Sequence, residues 1–401
     1  MGNWFIPALE EFQSERALLH LGLNSATRYY RELIVPGIGG VWFVRQLSWS
    51  AAGIALAKEL ALKPAKVANA IEALACKLEW RYGKENYTRR GKRAFARDED
   101  NGIWSFNDLS DKTHYVQVTY RQSTVRALLN LKLTNGTRFN TMELMQTGQE
   151  LADAFLDQIK IRKALYDWLN GSDISTTYAI AKGLGSCWPT PKEKEIVRDI
   201  LRADAPDGLG DSHRRHSLIE AFGRNTANMP GLDDIKKNLL QSPGQNLREQ
   251  VDNINTALAF DAMLECGRKV IYTCANLIAE KAPPLPAKLA QDRNLSKALD
   301  ALRKAASNFR QAAGKKHAAA LRFMEAILSP SANNAECLKF VIRQDTNILD
   351  VPGEKVLEGH LFDRRKESSA EENAAQEKVG AEESSTGTKI RQLFELWGDC
   401  Q

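Results

Sequence analysis

The sequence predicts a mainly α-helical protein: an N-terminal winged helix-turn-helix, a helical domain behind it, and a disordered acidic segment before a C-terminal helix. Three observations carry this expectation. Ala and Leu are abundant, and the longer apolar runs recur at helical rather than alternating spacing. Residues 51–80 read as two helices joined by the short turn ALKP, and the chain from Lys77 to Arg97 then holds eight Lys/Arg against two Glu. From 363 to 388 the composition falls to Glu, Ser, Ala, Lys and Gln, which bury too little apolar area to offset the entropy of ordering.

A chain of 401 residues with 43% apolar content exceeds one simple core and has enough hydrophobic material to fold most of its length. The expected divisions are a winged-helix-containing domain over 1–160, a helical domain over 161–281, and a helical segment with a short β element over 282–362. An acidic linker over 363–388 and an amphipathic helix over 389–401 follow. The net charge of +5 is mild, so the local density of the basic stretch matters more than the total. The six cysteines form no CxxC and no zinc spacing with a nearby His, as expected of reduced thiols in a cytoplasmic protein. No run approaches the roughly 18 apolar residues of a membrane span. The first residues lack the basic start and apolar core of a signal peptide, and Ile6 stands where a myristoylation motif needs Ser or Thr.

In chain order, residues 7–33 read as a helix and VPGIGG (35–40) as a sharp turn. Its glycines do not form a phosphate loop, because neither GxGxxG nor Gly-Lys-Ser/Thr is present. The aromatic-rich run Val41 to Ser50 fits either a strand or a buried helix. Pro64 suits the start of the next helix, in which Val67, Ile71, Leu74 and Leu78 share one face. Lys66, Asn69, Lys77 and Trp80 are then expected on the opposite, solvent side. There Lys66 and Asn69 are the candidates for base-edge contact. The basic run that follows is expected to be a hairpin wing. Lys77, Arg81, Lys84, Arg89, Arg90, Lys92 and Arg93 lie along it as DNA contacts, the last four as phosphate clamps, interleaved with Tyr82, Tyr87 and Phe95.

DEDNG (98–102) is turn chemistry without EF-hand spacing. Residues 114–129 are expected to begin as a short strand and pass into a helix. Leu144 to Ala152 suggests a strand-to-helix step capped by Thr147. Further on, Gly171 suits a helix C-terminus, and Thr190, Pro191 and Glu193 mark a helix start. APPLPAK (282–288) is a hinge, a break falls near Gly314, and FVIRQ, NILDV and EKVLEG fit two or three short strands. In the final helix Ile390, Leu393, Phe394 and Trp397 line one face, with Phe394 and Trp397 as anchors for a protein partner.

Catalytic motifs are not recognisable: HExxH, GxSxG and the P-loop are absent. Lys192 to Glu195 supplies the letters of a nuclease centre, but on a predicted helix. HRRH (213–216) fits a metal pair, a phosphate contact or a solvated helix start. No catalytic residue, metal ligand or cofactor is therefore assigned. These features point to a protein that binds double-stranded DNA, with its helical middle serving self-association or a protein partner. The alternatives are an interaction adaptor within a larger complex, and a nuclease or DNA-modifying enzyme with an unrecognised site. The run LGLNSATRYYRELIVPGIGGVWFVRQLSWS resembles the opening of uncharacterised winged-helix proteins encoded in prokaryotic defence islands. That resemblance implies an accessory subunit of an anti-phage or DNA-modification system, and carries over no site residue.

Overall fold

The computed structural model describes residues 19–83, 89–97, 104–111, 116, 118–158, 160–203, 211–223, 228–241, 247–278, 284–360, 362 and 385–401. The first helix, α1 (Asn24–Ile34), follows a turn in which Leu21 and Gly22 have positive φ. The long helix expected over 7–33 is therefore interrupted wherever it is described. The aromatic run after the VPGIGG turn is helical from Val44 on, with Trp42 and Phe43 before the helix: α2 (Val44–Glu59) leads through a turn at Ala61 (φ 53°) into α3 (Pro64–Gly83).

These two helices pack closely because their facing residues are small. A Cβ on Gly53 would lie 2.6 Å from Ala68 Cα. Further elements are α4 (Lys92–Arg97), α5 (Phe106–Ser110) and α6 (Tyr120–Asn130). A two-stranded antiparallel hairpin follows, β1 (Thr134–Asn135) and β2 (Glu143–Leu144), with Thr134 opposite Leu144. It runs into α7 (Gln146–Leu156), whose N-cap is Met145, so Thr147 lies inside the first turn rather than capping it.

The helices α8 (Ile161–Leu169), α9 (Tyr178–Leu184), α10 (Pro191–Arg202), α11 (Asp211–Phe222) and α12 (Leu232–Gln241) continue the chain. The α10 start is the one read from sequence. Thr190 and Glu193 form a reciprocal capping box with Pro191 in the first turn. Next come α13 (Leu247–Ile278), α14 (Pro286–Leu289), α15 (Arg293–Gln311), α16 (Ala318–Ile327) and α17 (Asn334–Arg343). FVIR of the expected strand FVIRQ belongs to α17 and is helical, with Gln344 as its C-cap. The short strands are β3 (Leu349–Asp350) and β4 (Leu357–Glu358), paired antiparallel. The last helix is α18 (Thr386–Asp399).

The chain divides into two compact units, which cut it elsewhere than the sequence boundaries did. One comprises Glu32–Arg248 with Lys389–Gln401, the other Met1–Arg31 with Glu249–Thr388. The first centres on α2 and α3, with Trp49, Ile71, Leu74, Phe155 and Trp168 fully buried. Its core encloses an ion pair: Arg45 Nε lies 3.0 Å from Glu193 Oε1, both side chains having no exposure. Arg45 also donates to the carbonyls of Gly183 and Trp188 and lies over the Phe155 ring. In the second unit Tyr30, Phe260 and Phe309 form an aromatic cluster. The expected break near Gly314 is present, and a Cβ there would meet Asp252 O at 2.5 Å.

Candidate nucleic-acid interface

The residues first expected to touch DNA lie on and after α3, and α3 is an interior helix. Every position from Val67 to Leu78 is buried, on all sides of the helix. The supposed solvent side is covered by α5, α6 and α9, so its polar residues meet protein groups. Asn69 is 6% exposed, and its Oδ1 accepts a 2.7 Å hydrogen bond from Arg121 Nε. Lys77 is 4% exposed, with Nζ 4.6 Å above the Trp104 ring. Trp80 is buried against Phe95. Asn69 and Lys77 are thus corrected from surface readers to interior groups. Lys66, in the first turn, is exposed as expected.

The basic run does not form the expected wing where it is described. α3 continues to Gly83, and Lys92 and Arg93 lie in the helical turn α4. Lys84 and the Arg93 side chain lie outside the described residues, as does DEDNG. Arg89 stacks 4.3 Å over Phe43 and donates through Nε to Ser186 Oγ at 2.8 Å. Arg90 stacks 4.5 Å over Tyr120 and donates to the Val118 carbonyl at 2.8 Å. Arg81 is exposed, over Trp104, and reaches Thr176 Oγ1. Lys92 is exposed. The cations of this run stack on rings from elsewhere in the chain, Phe43, Trp104 and Tyr120. The same neighbourhood holds Ser186 and Cys187, both donating to the Glu79 carboxylate. Burial and Glu79 push the Cys187 thiol up, which keeps it protonated and unsuited to nucleophilic attack.

Two other expectations meet the same fate. Arg214 and Arg215 of HRRH donate to the carbonyls of Leu33 and Pro36, pinning the VPGIGG turn. Phe394 and Trp397 are each 7% exposed. Phe394 packs edge-on against Phe222, and Arg202 lies over Trp397. Burial of these proposed partner anchors inside their own unit corrects the reading of α18 as a free docking peptide. Its Asp399 accepts from Val44 N at 2.7 Å and so caps α2, and burial raises that carboxyl above its ordinary range. A cleft of about 640 Å³ beside it is lined by Trp42, Arg89, Arg391, Glu395 and Asp399, with both signs of charge.

Cations turned outward are found on α6 and the hairpin after it. The start of α6 is held firmly. Thr119 and Gln122 form a capping box, and the buried Glu72 carboxylate accepts from the backbone N–H of Tyr120 (2.9 Å) and Arg121 (2.7 Å). Tyr120, Thr124, Ala127 and Leu128 face the core, which leaves Gln122, Arg126 and Asn130 exposed on the other side and Val125 and Leu129 half-buried beside them. Gln122 Oε1 is committed to the Thr119 N–H. Lys132 then adopts φ 56°, and the hairpin closes around Gly136 (φ 97°), where a Cβ would meet Thr141 O at 2.7 Å. Asn140 Oδ1 accepts from Ala65 N, tying the hairpin loop to the N-terminus of α3.

Residues 120–144 carry four Arg/Lys against one acid, Glu143. Arg126, Lys132 and Arg138 are exposed, and among the described residues none has an acidic partner. These positions were missed in the sequence because each basic residue stands alone. The Asn135-Gly136 pair was the available signal for a hairpin. Among the described residues no cluster of His, Cys, Asp and Glu suits a metal ion, and no helix is long and apolar enough to cross a membrane. Compared with protein-family models, with characterised sequences and with solved structures, the chain matches none.

Proposed function

We propose that this chain is a DNA-binding accessory protein that presents α6 and the 134–144 hairpin to duplex DNA, in the manner of a winged helix. One observation carries the reading. Three helices that pack on one another, α2, α3 and α6, are followed by a two-stranded hairpin, and that last helix and hairpin carry three exposed cations, Arg126, Lys132 and Arg138, without an acidic partner among the described residues. A winged helix uses the same order, with its third helix toward the major groove and the hairpin beside the backbone. Arg126 and Asn130 are side chains able to pair with guanine and adenine edges, while Lys132 and Arg138 suit phosphates. Membership of an anti-phage system is proposed on the resemblance of the LGLNSATRYY…QLSWS run alone.

The test is duplex binding by fluorescence anisotropy over a range of salt concentrations. Replacing Arg126, Lys132 and Arg138 together by Ala should flatten the slope of log K against log salt by about 2–3. A triple variant that binds as the parent does, at the same slope, would remove α6 and the hairpin from the interface.

A further inference from the structure

At the C-terminal end of α3 the larger unit exposes aromatic rings that its core does not use. Tyr82 is 44% exposed and Tyr178 is 54% exposed, with ring centroids 5.5 Å apart and edge to face. Trp188, half-buried, lies beside them, its ring 6.3 Å from that of Tyr178 and edge to face with it. The Tyr82 ring is fixed by its hydroxyl, and Tyr178 and Trp188 are anchored through their backbone. The Tyr82 hydroxyl donates to the Thr176 carbonyl at 2.5 Å, Tyr178 opens α9, and the Trp188 carbonyl accepts from the buried Arg45. Holding such rings ready removes the ordering cost that a flexible aromatic would incur on binding.

Two exposed cations lie close to them in the chain. Arg81 precedes Tyr82, and Lys182 lies one turn beyond Tyr178 on α9; both are exposed. Of the nearby acids, Glu79 is engaged with Ser186 and Cys187, which leaves Asp173 exposed. Fixed aromatic rings flanked by Arg and Lys match the chemistry of unpaired nucleotides, whose bases stack on rings while their phosphates meet the cations. A duplex buries its base faces and cannot use the rings. We propose that Tyr82, Tyr178 and Trp188 form a stacking platform for single-stranded nucleic acid, with Arg81 and Lys182 as its phosphate contacts. This site is separate from the proposed duplex surface. The hairpin loop is tied to Ala65 at one end of α3, and Tyr82 lies seventeen residues further along, about 26 Å at helical rise.

The experiment uses the full chain and a fluorescent oligo-dT of about a dozen nucleotides, which offers stacking with little sequence readout. Tyr82→Ala with Tyr178→Ala should weaken oligo-dT binding by about 30-fold or more, because each ring contributes a base-stacking contact. The pair Tyr82→Phe with Tyr178→Phe should stay within about threefold, since the rings remain. Photo-cross-linking with 5-iododeoxyuridine in place of one thymidine should map to Tyr82, Tyr178 or Trp188. Both tyrosines are exposed, so far-UV circular dichroism of the Ala pair should match the parent. Failure of the parent to bind oligo-dT, equal binding by the Ala pair, or cross-links confined to other segments would each overturn the platform. Duplex binding measured on the same variants keeps the two proposals apart. A parent that binds duplex and not oligo-dT defeats this inference alone, and the reverse result defeats the duplex reading alone.

Discussion

The stretches Lys77–Arg97 and Tyr120–Leu144 carry the same kinds of cation and turn three of each in opposite directions. In the first, charge is dense and mixed with aromatics, and Lys77, Arg89 and Arg90 stack on Trp104, Phe43 and Tyr120. In the second, charge is sparse, and Arg126, Lys132 and Arg138 stand on an outward surface without an acidic partner among the described residues. The difference teaches that charge density along a sequence does not give the direction of a side chain. A guanidinium is planar and weakly hydrated, so a ring and a few carbonyls can take it out of water. Rings distant in sequence, Phe43, Trp104 and Tyr120, take these cations into the fold, which the run itself does not announce.

The comparison can be broken most severely at its inward limit. Arg45→Ala would leave the Glu193 carboxylate buried without its counter-charge, and a loss of roughly 3–5 kcal/mol is expected. Denaturant unfolding measures it; a loss below about 1 kcal/mol would mean that inward cations matter little to this fold. Next in size is Arg89→Ala with Arg90→Ala, which removes two ring contacts and two hydrogen bonds. It should cost about 1–3 kcal/mol of stability while leaving the salt slope of DNA binding as in the parent. A flattened slope with unchanged stability would return these arginines to the interface.

Arg126→Ala sharpens the other side. Stability should stay within about 0.5 kcal/mol, whereas discrimination between a selected duplex and a scrambled one should fall by about 1–3 kcal/mol. Equal weakening on both duplexes would reduce Arg126 to a phosphate contact. The smallest effect is expected at Lys92, exposed on α4. Lys92→Ala should change stability by less than about 0.5 kcal/mol and leave duplex affinity nearly unaltered. A salt slope lower by about 1 would show that both stretches share one surface.

Much of the local structure was legible in the sequence, because its causes are local. The Pro64 start of α3, the Thr190–Glu193 capping box and the gap between α15 and α16 around Gly314 all rest on residues within a turn of one another. The mainly helical class followed from apolar spacing in the same way. The candidate site was hardly legible. The Val67/Ile71/Leu74/Leu78 stripe identified a buried face of α3 correctly, but a stripe cannot tell whether the opposite face is also covered.

By itself, then, the sequence determined the mainly helical class, helix starts such as those at Pro64 and Thr190, and which residues have chemistry to offer. Only the tertiary structure decided which of them meet solvent. α5, α6 and α9 close over Asn69 and Lys77, and α18 returns from the far end of the chain to bury Ile390, Leu393 and Leu396 and to cap α2 with Asp399. Such decisions rest on contacts between residues distant in sequence, where apolar area leaves water and each buried polar group must find a partner. Helical periodicity reports none of those partners. That is why Lys77, Arg89 and Arg90 of the basic run pack against rings, while the scattered Arg126, Lys132 and Arg138 lie at the surface.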